Sequence, residues 1–169
     1  IPLQTLLAES LPAPCVPCIR ASGCGIISAM AGKHCYSHPR PAVTVDIVVL
    51  SRNGRVLLIK RKGEPFRGRW ALPGGFVDID ETLADAAARE LAEETGIAGV
   101  DMRQLHAFDD PDRDPRGRTI SIAFLAKVEA PPEPTAKSDA AEARWTAVDQ
   151  LPPMAFDHDK IIALALLAK

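Results

Sequence analysis

The 169-residue chain predicts an α/β fold in which helices flank a mixed β-sheet. Two observations carry this prediction. Short segments rich in apolar and β-branched residues recur along the chain between turn signals, as strands do. Two other segments, one in the middle of the chain and one near its end, carry apolar residues at helical spacing. A content of 47% hydrophobic and 25% charged residues is ordinary for one globular domain of this length.

The strands begin with a β-hairpin. Residues 43–50 and 55–60 are two apolar runs, and Ser-Arg-Asn-Gly at 51–54 is a turn signal between them. Residues 70–76, Trp-Ala-Leu-Pro-Gly-Gly-Phe, follow as a loop whose paired glycines let backbone approach a ligand closely. Further strands are expected at 102–108, 119–128 and 143–148.

The central helix has clear boundaries. Thr82 begins about four turns of good helix formers, and Gly96 suits the left-handed position that ends a helix. The residues expected to face the protein body are Leu83, Ala87, Leu91 and Thr95.

A second helix is expected over 160–168. Its apolar stripe consists of Ile161, Leu164 and either Leu167 or Ala168. The preceding trio of Asp157, His158 and Asp159 is interpreted as capping this helix.

The central helix carries charges that packing does not require. Glu90, Glu93 and Glu94 share one face through i+3 and i+4 spacing. Like charges at this spacing destabilise a helix by roughly 0.2–0.5 kcal/mol a pair, so a divalent cation is the natural compensation. Oxygen ligands favour Mg²⁺ or Mn²⁺ over zinc. The alternative is a solvated acidic face with Arg89 as an intrahelical partner.

These residues belong to a longer pattern, G-x5-E-x7-R-E-U-x-E-E-x-G-U, where U is aliphatic. All nine specified positions match, namely Gly75, Glu81, Arg89, Glu90, Leu91, Glu93, Glu94, Gly96 and Ile97. The pattern resembles the signature of the Nudix hydrolases, which cleave nucleoside diphosphates linked to another moiety. The resemblance implies an α/β/α sandwich over residues 39–169 and a metal-dependent pyrophosphohydrolase.

The resemblance also implies roles for individual residues. The metal, Mg²⁺ or alternatively Mn²⁺, would be held by Glu90, Glu93, Glu94 and the backbone carbonyl of Gly74. Arg89 would orient the carboxylates and Glu81 would support it. Glu93 or Glu94 would act as the general base, although some family members use an acid from a later loop. The candidates in such a loop are Glu133, Asp139 and Glu142.

Substrate choice is expected from residues 108–119. Arg113, Arg116 and Arg118 supply forks suited to phosphate, and Pro111 stiffens the segment. The alternative is a solvated loop whose arginines pair with its own aspartates. The segment looks like the Asp-Pro-x-Arg-Asp-Pro-Arg-Gly stretch of the ADP-ribose pyrophosphatase branch. That branch hydrolyses ADP-ribose to AMP and ribose 5-phosphate.

Other assignments stay open. NADH, 8-oxo-dGTP or another nucleoside diphosphate derivative is an alternative substrate, and a non-catalytic ADP-ribose sensor is an alternative of another class. Trp70, Phe108 and Trp145 are candidates either for stacking on adenine or for filling the core. His106 is expected to be an ordinary strand residue.

Residues 1–38 are expected to form a poorly ordered N-terminal extension. Cys15, Cys18, Cys35 and His38 have the ligand types and rough spacing of a zinc ribbon. A competing interpretation places the true start at Met30, with residues 1–29 as a leader or remnant.

The remaining expectations concern partners and location. The formal charge of −2 gives no sign of a nucleic-acid surface, and no apolar stretch has the roughly 20 residues that span a bilayer. We therefore expect a cytoplasmic enzyme with a small-molecule nucleotide substrate and neither a nucleic-acid nor a membrane partner. The resemblance makes a homodimer possible.

Overall fold

A computed structural model describes residues 38–130, 132–136 and 140–168. A compact unit extends over Pro41–Lys169. The N-terminal expectations for residues 1–37, including the three zinc-ribbon cysteines and the Met30 start, lie outside the described residues. In the part of the chain that is described, no helix is both long and apolar enough to cross a bilayer.

Along the described ranges, four strands precede the first helix and three more strands separate it from the second. The strands are β1 (Ala42–Ser51), β2 (Arg55–Arg61), β3 (Trp70–Ala71), β4 (Gly74–Phe76), β5 (Met102–Phe108), β6 (Thr119–Val128) and β7 (Ala140–Ala147). The helices are α1 (Leu83–Thr95) and α2 (His158–Leu167). The mixed sheet and the two helices confirm the predicted α/β/α sandwich.

The sheet is mixed because β1 runs parallel to β6 and antiparallel to its other neighbours. Beside the hairpin turn, β1 pairs with β2 at Leu50 and Ser51. Further from the turn the two strands separate, and β4 occupies the place beside β1 while β3 pairs with β2. This separation brings the paired glycines of β4 into the sheet, next to Asp46 of β1.

Alternation along β1 builds a core on each face of the sheet. Val45, Ile47 and Val49 pack with Ala87 and Leu91 of α1 on one face. Val48 points to the other face, where Ile161, Ile162 and Ala165 of α2 pack against the sheet. Asp46 shares the alternation of Val48, so an acidic side chain occupies an interior position below α2.

Helix α1 agrees with its prediction at both ends. The Thr82 side chain accepts a hydrogen bond from the Asp85 amide, and Gly96 adopts φ 73° at the C-cap. Ala87, Leu91 and Thr95 are buried as expected.

Three local predictions need correction. The segment 70–76 contains two short strands instead of a plain loop, because the parting of β1 and β2 leaves backbone groups for it to pair with. Strand β7 begins three residues earlier than expected, as residues 140–142 pair with β2. In α2 the buried face is formed by Ile161, Ile162 and Ala165, whereas Leu167 is 79% exposed.

Candidate active site

The site begins where the two glycines of β4 lie under α1. A Cβ on Gly74 would stand 2.1 Å from the Val45 carbonyl oxygen, and one on Gly75 would stand 2.2 Å from Oε1 of Glu90. A side chain at Gly74 would collide with the backbone of β1, and one at Gly75 would displace the Glu90 carboxylate. Gly74 therefore allows close pairing with β1, and Gly75 allows β4 to lie against the Glu90 carboxylate.

Two of the three helix glutamates turn toward this strand. The Gly74 amide donates a hydrogen bond to Oε2 of Glu94 at 2.9 Å, and Glu94 is only 7% exposed. The Glu90 carboxylate lies against Gly75. Glu93 is placed differently from the expected common face, because its side chain is 52% exposed and its nearest described cation is Arg89 at 3.5 Å.

Arg89 connects the carboxylates to the loop before the helix. It donates to Oε1 and Oε2 of Glu81 at 2.6 and 3.0 Å, and to Oε1 of Glu90 at 2.8 Å. A further bond reaches the carbonyl of Phe76 at 3.1 Å. These bonds give Arg89 the geometry of a residue that orients carboxylates. Its role in catalysis remains a prediction, as does that of Glu81.

The same contacts shift the acidities of these groups. The hydrogen bond from Arg89 lowers the pKa of Glu81 to about 2, and the pKa of Arg89 is raised in turn by Glu81. Burial raises the pKa of Glu90 and outweighs the opposing hydrogen bond from Arg89. Burial thus disfavours the Glu90 charge, which an additional cation would stabilise.

A cavity of about 550 Å³ opens beside these groups. It is lined by carboxylates, by cations, by aromatic rings and by the glycines: Thr44, Ile59, Arg61, Lys62, Gly63, Glu64, Gly74, Gly75, Phe76, Asp78, Arg89, Glu90, Glu94, Arg113, Asp114, Arg116, Phe156 and His158. Of the predicted metal ligands, Gly74, Glu90 and Glu94 line it, whereas Glu93 does not.

The donors present fit a hard divalent cation. No cluster of three or more His, Cys, Asp or Glu side chains among the described residues forms a complete protein ligand set. Mg²⁺ does not need one, since it commonly binds through one or two carboxylates, waters and substrate phosphates. Glu90, Glu94 and the Gly74 carbonyl are oxygen donors of the required type, and all three residues line the cavity.

The predicted phosphate residues separate in the structure. Arg113 is not a free fork, because its guanidinium is buried and donates to Asp157 at 2.7 and 3.1 Å and to Asp46 at 3.3 Å. Arg118 is exposed and donates to the carbonyl of Asp109. Pro111 is also exposed, in the turn that precedes Arg113.

The contacts of Arg116 agree with both predictions for the loop, pairing with its own aspartates and binding phosphate. It donates to Asp114 at 2.7 and 3.0 Å, as the solvated-loop alternative expected, and it also lines the cavity. Burial opposes ionisation of Asp114, but the hydrogen bonds from Arg116 outweigh it and lower the pKa of that carboxyl. Arg116 is the member of the predicted set that stays available to a ligand in the cavity.

A buried polar network, two of whose members line the cavity, was missed from the sequence. Asp46 accepts hydrogen bonds from Ser121 and Arg113, and its Oδ1 lies 3.3 Å from Nε2 of His158. Nδ1 of His158 accepts a hydrogen bond from the Leu72 amide at 2.9 Å, so the ring proton belongs on Nε2 and is directed at Asp46. The hydrogen bonds of this network join residues 44 to 86 positions apart in the chain, and the contact of Asp46 with His158 spans a still longer separation, so only the fold brings them together.

The capping interpretation of the same region is therefore wrong for the side chains. Asp157 stands at the N-cap position of α2, yet its side chain makes no capping hydrogen bond and binds Arg113 instead. His158 is buried in the network.

The aromatic residues of the cavity are also different from those expected. Phe76, which is 45% exposed, and Phe156 line the cavity. Trp70 lies in the core, and the indole of Trp145 donates to the Pro132 carbonyl at 2.8 Å. Phe108 packs at the edge of the α2 core, and His106 is an exposed residue of β5, as expected. Neither tryptophan nor Phe108 is among the described residues that line the cavity.

The later-loop base candidates lie apart from the cavity or outside the described residues. Glu133 is exposed, and Glu142 is a residue of β7 that lies 3.9 Å from Arg144. Neither lines the cavity in the described part of the chain. Asp139 lies outside the described residues.

Comparison with known proteins identifies the class to which this fold and site belong. The NUDIX domain family matches residues 40–165, which is most of the chain. The chain belongs to the NUDIX family, as the sequence pattern predicted.

Particular relatives narrow the comparison. An ADP-ribose pyrophosphatase of Methanocaldococcus jannaschii is 47% identical over 127 residues, covering 75% of this chain and 73% of the relative. The NUDIX domain of Shewanella oneidensis NrtR, solved with ADP ribose, is similar with a TM-score of 0.71 and 31% identity, over 78% of this chain and 90% of that one. A Francisella tularensis bifunctional NMN adenylyltransferase/ADP ribose pyrophosphatase, solved with AMP and a Mn ion, has a TM-score of 0.69 and 35% identity. That alignment covers 78% of this chain and 43% of the Francisella chain.

Proposed function

We propose that this chain hydrolyses the pyrophosphate of ADP-ribose, giving AMP and ribose 5-phosphate. The observation that carries the proposal is one cavity lined both by the family carboxylates and by Arg116 of the Asp-Pro-Arg-Gly segment. Support comes from the 47% identity to an ADP-ribose pyrophosphatase and from a similar domain that binds ADP ribose.

The reaction is the addition of one water across a phosphorus–oxygen bond of the pyrophosphate. The water oxygen bonds to phosphorus, the bridging oxygen leaves with the other phosphate, and the water proton passes to a base. The reaction requires little covalent chemistry from the protein. Catalysis therefore depends mainly on positioning the reacting groups and on electrostatic stabilisation of the phosphate oxygens. Glu93 and Glu94 are the base candidates on α1.

Glu90, Glu94 and the carbonyl of Gly74 would hold Mg²⁺, with Mn²⁺ as the alternative. The bound ion would supply neutralisation of phosphate charge and acidification of the attacking water. Arg89 holds Glu90 toward the cavity through its 2.8 Å hydrogen bond and is itself fixed by Glu81. The Gly74 amide fixes the Glu94 carboxylate in the same way.

The wider setting follows from the same proposal. A small-molecule nucleotide is the expected partner, with no nucleic acid or membrane involved, and the cytoplasm is the expected location. A homodimer is proposed by resemblance to this branch, and sedimentation that shows only monomer at micromolar concentration would remove it.

The test is turnover of a substrate panel with Mg²⁺ or Mn²⁺, with products identified by chromatography. The panel contains ADP-ribose, NADH, diadenosine polyphosphates and 8-oxo-dGTP. We expect ADP-ribose to give AMP and ribose 5-phosphate at the highest kcat/KM. Preference for another substrate would replace the proposal, and ADP-ribose binding without turnover of any substrate would favour a sensor.

A further inference from the structure

Two phenylalanines, one of which lines the cavity, adopt a backbone conformation that bulky residues rarely take. Phe66 has φ 63° and Phe156 has φ 51°, in the left-handed region. Their rings contact each other edge to face, with centroids 4.8 Å apart. Backbone strain of this kind concentrates at sites where a side chain must be held in a particular place. The residue to explain is Phe156, because its ring lines the cavity.

The Phe156 ring supports two arginines. The guanidinium carbon of Arg61 lies 5.0 Å from its centroid and that of Arg116 lies 5.7 Å from it. The imidazole of His158 stacks on the ring at 5.3 Å, with 29° between the planes. A ring that is fixed by its buried neighbour presents a rigid surface to the cations.

Each guanidinium is also oriented by hydrogen bonds. Nε of Arg61 donates to the Pro65 carbonyl at 2.9 Å. Nε and Nη2 of Arg116 are held by Asp114, whose side chain is 3% exposed, and Nη1 takes no part in that pairing. Arg116 also lies 5.0 Å from the Phe76 ring, so two aromatic rings contact its guanidinium. Pre-orientation reduces the entropy lost when a guanidinium binds an oxyanion.

We propose that Arg61 and Arg116, held on the ring of Phe156, form a binding site for a phosphate of the substrate. The inference rests on the proposed function and adds Arg61 and Phe156 to the residues that select a nucleoside diphosphate. Glu90 and Glu94 add negative charge to the cavity lining, so a dianionic pyrophosphate would gain from oriented cations in the same lining. Two guanidiniums on one aromatic platform meet this need with the fork geometry that phosphate favours.

The first test compares the kinetics of Arg61→Gln, Arg116→Gln and wild type on ADP-ribose. Loss of one charge-assisted contact should raise KM by about 10- to 100-fold and leave kcat within about threefold. Arg61→Lys keeps the charge without the planar fork and should recover only part of the loss. An unchanged KM in both glutamine variants would overturn the proposal.

Arg69→Gln is the matched control. Arg69 lies in the same segment and stacks 5.7 Å from the Phe66 ring, but it is not among the described residues that line the cavity. It should leave KM unchanged. An equal rise in KM for Arg69→Gln would mean that any positive charge in this segment acts at long range, which would also overturn the specific site.

Phe156 is a positioning residue and needs a readout that simple destabilisation does not move. Phe156→Leu should raise KM, and Phe156→Tyr, which keeps the ring, should restore it. Thermal unfolding of each variant identifies loss of fold. If the leucine variant is folded and has a wild-type KM, the platform role is wrong.

Calorimetry with inorganic pyrophosphate separates this inference from the proposed function. Weaker binding to Arg61→Gln and Arg116→Gln than to wild type and Arg69→Gln supports the site even if ADP-ribose is not turned over. If wild type hydrolyses ADP-ribose but the two variants bind pyrophosphate and substrate normally, the proposed function is supported and the proposed arginine site is contradicted.

Discussion

At the scale of single residues, three glutamates of one helix occupy different environments. Glu94 is buried and accepts a backbone hydrogen bond, Glu90 lies against Gly75 beside Arg89, and Glu93 is half exposed. The sequence pattern makes them equivalent candidates, since i+3 and i+4 spacing places all three near one face. The environment distinguishes them because β4 passes under only part of that face.

We expect Glu94→Gln to lower kcat by at least about 100-fold without unfolding the protein. Glutamine keeps an oxygen that can accept the Gly74 amide, so the hydrogen bond at 2.9 Å can persist while the charge needed for the cation is lost. Steady-state kinetics at saturating Mg²⁺ and thermal unfolding measure the two effects.

Asp101→Asn is the control for this change, since it removes an exposed carboxylate that does not line the cavity. It should keep the wild-type rate. Near-normal turnover by Glu94→Gln would contradict the proposed metal role.

At the scale of elements, the start of α2 is joined to β1 and to residues 108–119, the arginine segment, by buried charges. Arg113 bridges Asp157 of the helix start and Asp46 of the strand, and its side chain is 4% exposed. Removal of one partner from a buried ion pair typically costs about 3–5 kcal/mol, because the remaining charge is left uncompensated. The network therefore fixes where the helix and the segment stand relative to the sheet.

Asp157→Asn is expected to lower the free energy of unfolding by about 3 kcal/mol, measured by urea denaturation. Asp159→Asn is the matched control at the same helix start, because Asp159 is exposed and should contribute only about 0.3–1 kcal/mol through the helix dipole. Equal losses in the two variants would show that the Arg113 contact does not stabilise the fold.

The same network predicts a pH dependence of stability. Burial lowers the pKa of His158 and outweighs the neighbouring Asp46 carboxylate, which acts to raise it. As the pH drops below the ordinary pKa of 6.5, His158 takes up a proton in the unfolded chain but not in the folded chain. The free energy of unfolding therefore falls as the pH drops. The contribution is fully present above that value.

His158→Gln provides the comparison for this pH dependence. Glutamine can accept from the Leu72 amide and donate to Asp46 but does not titrate. Urea unfolding between pH 5 and 7 should therefore show a shallower decline for His158→Gln than for wild type. Parallel declines would assign the pH dependence to other groups.

These elements show what the sequence can predict. Residues 83–95 and 102–108 were predictable because helix caps and strand runs are local signals. Strands β3 and β4 were not, since two or three residues carry no periodicity and form strands only through the separation of β1 and β2. The arginine segment was recognisable, but the partner of Arg113 lies 44 residues away, and no local spacing reveals it.

At the scale of the whole molecule, the residues of the site come from both faces of the sheet. The α1 face supplies the carboxylates, and the α2 face supplies the network behind Phe156 and Arg116. Strand β1 serves both, since its alternate residues pack against α1 and against α2. The cavity thus depends on the assembled sandwich, and its described lining extends only from Thr44 to His158.

We therefore expect a chain that lacks residues 1–29 to keep both its fold and its hydrolase activity. The family match spans residues 40–165, and the compact unit that contains the cavity begins at Pro41. The measurements are kcat/KM on ADP-ribose and the thermal midpoint, for the truncated and full chains side by side. Values within about twofold and about 2 °C would support an independent catalytic domain. Collapse of activity on truncation, together with stoichiometric zinc in the full chain, would instead assign the segment containing Cys15 and Cys18 a structural role.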